Sequence, residues 1–235
     1  MQTTSENVKI KAADGDMSAF LARPTDAGKY PAVIVVMEAF GLNEHIKDVA
    51  RRVAAEGYVT LAPDMYYRQP NAVAGYDQLP EAIRLMTALR DDAIVADLAA
   101  VVSHLQSQDS VRGDRIGITG FCMGGRISFL AACKNSQIKA AAPFYGGGIG
   151  GLLDQAPKIT CPLLLFFGDQ DPFIPNDEVA KIKSTLEQLK KNAEVVVYPG
   201  APHGFFCNER DSYRPEAAKD AWERLKRFLA KHLSS

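Results

Sequence analysis

The chain has 235 residues, 47% of them hydrophobic and 23% charged. This is an ordinary globular composition, and it excludes disorder, collagen and coiled coil as descriptions of the whole chain. Lysine and arginine total 27 against 28 aspartates and glutamates, a net charge of −1 that argues against nucleic acid as a partner.

From the start, residues 8–11 and 18–22 alternate apolar and polar around Asp14-Gly15, which predicts an antiparallel hairpin. Residues 32–37 (AVIVVM) form a continuous β-branched run, the mark of a strand buried on both faces. Ile46, Val49, Ala50 and Val53 then recur at helical spacing over residues 43–57, with Gly57 as a C-cap. Residues 59–62 predict a strand ended by Pro63, and 66–80 read as a long irregular stretch, a lid or pocket wall. Ile94, Leu98, Val101 and Leu105 line one face of the next helix. Strand 115–119 (RIGIT) and helix 123–134 follow, then strands 140–145 and 163–167 (LLLFF). Val179, Ile182, Leu186 and Leu189 give a helix stripe, 194–198 the last strand, and Ala218, Trp222, Leu225 and Leu229 a C-terminal helix.

Repeated βαβ units imply one doubly wound α/β domain over residues 1–235, with about eight mostly parallel strands, five or six helices on both faces, and the N-terminal hairpin. No apolar stretch approaches the roughly 20 residues of a membrane span. The first residues lack a basic region followed by an apolar one, so no secretory leader is expected. Cys122, Cys133, Cys161 and Cys207 form no C-x-x-C pair or metal-ligand spacing, so reduced thiols in a cytoplasmic protein are expected.

Gly120-Phe121-Cys122-Met123-Gly124-Gly125 lies between strand RIGIT and a helix. That is the setting of a nucleophile elbow, with cysteine where serine is usual. Small flanking residues let strand and helix approach closely, and the side chain projects above the C-terminal edge of the sheet. The helix N-terminus favours a thiolate there. An isolated cysteine is most often a small buried hydrophobe; the motif and its context outweigh that reading for Cys122.

An elbow predicts the order nucleophile, acid, histidine. Asp169 and Asp171 follow strand LLLFF, and His203 follows strand EVVVY, on the same sheet edge as Cys122. Asp171, before Pro172, is the chosen acid and Asp169 the alternative. His45, His104 and His232 lie on or near helices and lack this setting. Glu38, at the end of the buried strand, needs a partner, and on this reading it stays open between structure and function. Residues 146–151 contain G-x-G-x-x-G, but Pro157 spoils the helix that a dinucleotide site needs, so they read as a loop beside the pocket.

Together EAFGL at 38–42, APDMY at 62–66, GFCMGG, FYG at 144–146, GDQDPFIP and PHGFF at 202–206 resemble the dienelactone hydrolase (carboxymethylenebutenolidase) family of the α/β-hydrolase superfamily, over nearly the whole chain. The resemblance implies Cys122 as nucleophile, His203 as base, Asp171 as orienting acid, and Glu38 as a buried glutamate that helps control ionisation of the resting thiol. It also implies that the backbone N–H groups of Ala39 and Met123 form the oxyanion hole.

Members acting on dienelactone hold its carboxylate with arginines, one shortly after the catalytic histidine. Here the fourth residue after His203 is Cys207, and the nearest arginine is Arg210. Arg84 stands for the other; Tyr67, Tyr145, Phe173 and Phe205 are pocket candidates by position.

The expected activity is cysteine-dependent hydrolysis of a lactone or activated ester through a thioester, with no metal or organic cofactor, in a monomer or small homo-oligomer that binds neither nucleic acid nor membrane. The competing expectations are a general short-chain esterase or thioesterase with the same triad, and a non-catalytic ligand-binding or thiol-sensing scaffold.

Overall fold

The computed structural model describes residues 1–69 and 72–234. Eight strands form one sheet in the order β1-β2-β4-β3-β5-β6-β7-β8. They are β1 (Thr3–Ala12), β2 (Gly15–Pro24), β3 (Tyr30–Val36), β4 (Val59–Pro63), β5 (Val111–Phe121), β6 (Ile138–Phe144), β7 (Leu163–Gly168) and β8 (Ala193–Tyr198). The helices are α1 (Glu44–Ala55), α2 (Leu79–Thr87), α3 (Asp91–Gln106), α4 (Met123–Lys134), α5 (Asn176–Gln188) and α6 (Pro215–Leu233).

β1 and β2 pair antiparallel through the turn Ala13-Asp14, and β2 lies antiparallel against β4. From β4 through β8 every neighbouring pair is parallel. β3 and the strands beside it read as unbroken apolar runs because helices cover both faces. Glycines on β5 show which helix covers which face. A side chain on Gly117 would run into Leu233 and touch Leu229 of α6, and one on Gly120 would meet Ser128 of α4. Positions an odd number apart point to opposite faces, so α6 and α4 lie on opposite sides. α1 joins α6, where the Arg52 guanidinium sits 4.3 Å above the Trp222 ring. α3 joins α4, where Arg126 pairs with Asp91 at 2.7 Å.

The chain leaves β3 toward β4 on one side and β5 toward β6 on the other. A crevice forms at such a switch point, beyond the carboxyl ends of the strands. The loops after β3, β5, β7 and β8 carry Glu38, Cys122, Asp171 and His203 to that edge.

Three local expectations need correction. Pro63 ends β4 as its last residue, paired opposite Ala19, so the strand is one residue longer than 59–62. The stretch 66–80, of which 70 and 71 lie outside the described residues, gives way at Leu79 to helix α2. Pro80 occupies the first turn of α2, where its missing N–H costs nothing. Residues Ile149–Lys158 after β6 form a 3₁₀ segment containing Pro157, rather than a plain loop. No helix among the described residues is long and apolar enough to cross a membrane.

Candidate active site

Cys122 occupies the turn from β5 into α4 with φ 56° and ψ −118°. Such backbone costs a non-glycine residue about 1–3 kcal/mol, so the surroundings must impose it. They do so through hydrogen bonds on both sides. The Cys122 N–H donates to Phe144 O at 3.0 Å, and its carbonyl accepts from Gly125 and Arg126 as α4 begins. Glycines allow the approach: a side chain on Gly124 would strike the carbonyls of Val36 and Met37, and one on Gly125 the carbonyl of Phe144. The thiol is half-buried at the floor of a cavity of about 530 Å³ that Ala39, Met123 and His203 also line.

His203 is buried, with its Nδ1 2.7 Å from Asp171 Oδ2. Asp171 Oδ1 accepts the Phe173 N–H at 2.8 Å, which fixes the carboxylate plane. Tyr145 and Phe173 flank the imidazole with edge contacts, each centroid 5.1 Å away. Burial disfavours the charged ring, but the Cys122 sulfur beside it and the bond to Asp171 outweigh it and raise His203 to about 10. Nδ1 faces Asp171, so Nε2 is the nitrogen left for the cavity. The alternative acid, Asp169, instead accepts the Gly200 N–H at 2.7 Å and ties the β7 and β8 loops together.

Glu38 is fully buried, and its Oε2 has no partner. Burial raises its carboxyl, against the pull of Arg210. Arg210 Nη1 lies 3.5 Å from Glu38 Oε1, and a side chain on Gly204 would collide with that guanidinium. Arg210 thus reaches Glu38 by crossing Gly204, six positions earlier in the chain, which has no side chain in the way. Cys207, the fourth residue after His203, donates to the Tyr76 hydroxyl at 3.2 Å.

The other sequence candidates divide. Phe173 and Arg210 line the cavity. Tyr145 and Phe205 are buried behind His203 and do not line it. Tyr67 donates to Asp97 at 2.9 Å, away from the cavity. Arg84 also falls outside it: α2 turns Leu79, Ile83, Met86 and Thr87 inward, while Arg84 is held by Glu81 at 2.7 and 2.8 Å. Sequence reasoning missed α2 itself, the Arg126–Asp91 pair, and Tyr66, whose hydroxyl donates to Ala39 O at 3.0 Å. Arg126 was findable, since it stands one helical turn after Cys122.

Among the described residues one buried trio could offer metal ligands: Glu38, His45 and Cys207, with ligand atoms within 4.8 Å of one another. The Arg210 guanidinium on Glu38 opposes a cation there. His45 is buried with neither ring nitrogen hydrogen-bonded; Asn208 lies beside it outside bonding geometry. Burial lowers His45 to about 4. Between that value and its unfolded value of about 6.5, only the unfolded chain takes the proton, so stability falls as pH drops through this window. The expected loss from pH 7.5 to 4.5 is about 2–3 kcal/mol, and urea unfolding should show it gone in His45→Leu.

A cysteine elbow, a following Asp–His pair and a cavity at the switch point define an α/β-hydrolase fold. The sequence pattern of the Dienelactone hydrolase family matches residues 17–233. A Synechocystis sp. protein with the provisional name carboxymethylenebutenolidase is 40% identical over 239 residues, covering 96% of each chain. A Bradyrhizobium sp. protein provisionally named a 2-oxo-3-(5-oxofuran-2-ylidene)propanoate lactonase is 36% identical over 225 residues, covering 92% of this chain and 89% of its own. A Klebsiella pneumoniae crystal structure, provisionally named a dienelactone hydrolase, superposes with a TM-score of 0.93 at 37% identity, covering 99% of this chain and all of its own. The chain belongs to the dienelactone hydrolase family. It is a carboxymethylenebutenolidase-like hydrolase, of a family acting on ester and lactone bonds.

Proposed function

We propose that the protein cleaves a lactone or activated carboxylic ester through a thioester on Cys122. The observation that carries this reading is the 2.7 Å bond from His203 to Asp171, with His203 and Cys122 lining one cavity. An unperturbed thiol, with a pKa of about 8.5, is mostly protonated at neutral pH, so the attack needs an activated sulfur. The neighbouring imidazole, held by Asp171, supplies that activation.

In the first half-reaction the Cys122 thiolate forms an S–C bond to the acyl carbon, and the carbonyl oxygen becomes an oxyanion. The N–H groups of Ala39 and Met123 stabilise it; losing one such donor typically costs about 3–4 kcal/mol. The C–O bond to the leaving group then breaks, and the departing oxygen takes a proton from His203. In the second half-reaction His203 accepts a proton from water as the hydroxyl oxygen attacks the thioester. The tetrahedral intermediate expels the Cys122 sulfur and releases the acid. Asp171 keeps Nδ1 protonated throughout. Glu38, raised by burial and facing the charges of Arg210 and His203, would act on the resting thiol through the histidine, by changing its own charge.

Acid quench during steady turnover of 4-nitrophenyl butyrate tests the intermediate. The peptide containing Cys122 should gain the mass of a butyryl group and lose it in hydroxylamine. Turnover with the acyl group on another residue, or on none, sinks the thioester. Fast iodoacetamide labelling of Cys122 with no hydrolysis of any ester or lactone would favour a thiol sensor.

A further inference from the structure

We propose that Tyr66 is a positioning residue for the oxyanion hole, holding in place the two loops whose N–H groups stabilise the acyl oxygen. This rests on the hydrolase reading above and deepens it at the oxyanion. The two proposed donors come from different parts of the fold. Ala39 lies in the loop after β3, and Met123 opens α4 after β5. Both line the cavity with Cys122. As the first residue of α4, Met123 has an N–H without an intrahelical acceptor. Among the described residues, neither that N–H nor the Ala39 N–H donates to a group of this chain. Two such donors serve one oxygen only if they converge on it. No covalent link sets the gap between their loops.

A third loop reaches both. Tyr66 follows β4 and is 1% exposed. Its hydroxyl donates to the Ala39 carbonyl at 3.0 Å, and the hydroxyl oxygen lies 3.4 Å from Met123 Sδ. One buried phenol therefore touches both residues that carry the donors. The peptide between Glu38 and Ala39 is held from its other end, because Glu38 O accepts the Gly41 N–H at 3.1 Å. A trans peptide is planar, so fixing that carbonyl aims the Ala39 N–H the opposite way. Tyr66 then fixes the next peptide plane along the chain. Tyr66 is itself anchored. Its N–H donates to Asp64 Oδ1 at 2.9 Å in an Asx turn, and the Asp64 N–H donates to Ser18 O of β2 at 2.9 Å. Burial pushes the Tyr66 phenol up, so it keeps its proton and remains a donor. Tyr66 does not line the Cys122 cavity, so it acts through Ala39 and Met123 and not on the substrate.

Tyr66→Phe removes the hydroxyl and keeps the ring. On 4-nitrophenyl butyrate its kcat and kcat/KM should fall together by about tenfold or more, with KM unchanged, because an oxyanion forms in both half-reactions and in no ground state. Alkylation of Cys122 by iodoacetamide is the comparison. There the sulfur bonds to the methylene carbon, the C–I bond breaks and iodide leaves, so no oxyanion develops. The rate and pH profile of alkylation report the thiolate alone and should stay within about twofold of native. Tyr67→Phe is the control. It removes a neighbouring phenol hydroxyl, bonded to Asp97 away from the cavity, and should leave both reactions unchanged. Should Tyr66→Phe not fold, Asp64→Ala carries the same test. It keeps the phenol but releases the turn that aims it, and it should lower ester turnover while leaving alkylation unchanged. A folded Tyr66→Phe that turns over the ester within about twofold of native overturns the proposal. So does a fall of both reactions by the same factor, which marks a merely structural loss. If the native protein leaves the ester intact, or Cys122→Ala cleaves it equally fast, it is the underlying hydrolase reading that fails.

Discussion

On the proposed mechanism, replacing Cys122 by alanine should lower kcat/KM on 4-nitrophenyl butyrate by about 10⁴-fold or more, because removing a nucleophile that acts as part of a unit removes nearly all of the unit's contribution. A loss of that size is about 5.5 kcal/mol of transition-state stabilisation. Alanine meets the same φ of 56° as cysteine and leaves His203 its bond to Asp171, so the variant should melt close to the native protein. Asp171→Asn should cost about 10³–10⁴-fold. Asparagine still fits between the Phe173 N–H and His203, but it can turn its amide toward Nδ1 and stabilise the wrong tautomer. Activity of Cys122→Ala within about tenfold of native, measured in initial rates, would remove the thiol from the chemistry. Native-like activity in Asp171→Asn would remove the carboxylate, and Asp169→Asn would then be the variant to measure.

The second large effect concerns folding. Gly124→Ala should lower stability by about 3 kcal/mol or more, because overpacking against rigid backbone cannot be relieved by a rotamer change. The added carbon lands on the carbonyl oxygens of Val36 and Met37. Those atoms end β3 and lead directly into Glu38 and Ala39, so relief of the clash also shifts the proposed oxyanion site. For a chain of this size, about 3 kcal/mol corresponds to a fall in Tm of roughly 6–12 °C. Gly151→Ala provides the contrast. Nothing lies within 4 Å of its added carbon, and a change of about 0.5 kcal/mol or less is expected. Calorimetry of the two variants separates a specific collision from a general intolerance of alanine. A Gly124→Ala protein that melts within about 2 °C of native would mean that β3 and α4 can slide apart freely.

Much of the arrangement was legible because local patterns and chain order coincide in this fold. β3 reads as a strand from AVIVVM alone, since burial on both faces demands an unbroken apolar run. GFCMGG marks the turn into α4 because only small residues allow the close approach. Asp171 and His203 stand just past β7 and β8, so parallel strands carry them to the edge that Cys122 shares.

α2 was not legible for an equally physical reason. Its Leu79, Ile83 and Met86 face a cavity rather than a core helix, and Pro80 looks like the end of a loop when it is the start of a helix. Arg210 was legible only as an arginine near His203. Its contact with Glu38 depends on a loop that turns at Gly204, where φ is 78°. In the sequence only the following proline favours Asp171 over Asp169; what separates them in space is that Asp169 spends its carboxylate on the Gly200 N–H while Asp171 meets His203.

The sequence by itself determined the strands, most of the helices, the elbow and the order of the three candidate residues, because each is written in periodicity or in residues close along the chain. The tertiary structure alone decided which charges meet. Arg126 meets Asp91 and Arg210 meets Glu38 at the cavity, while Arg84 meets Glu81 outside it. Long-range pairing depends on where loops return, and no local pattern encodes the distance between two side chains that lie 35 or 172 positions apart.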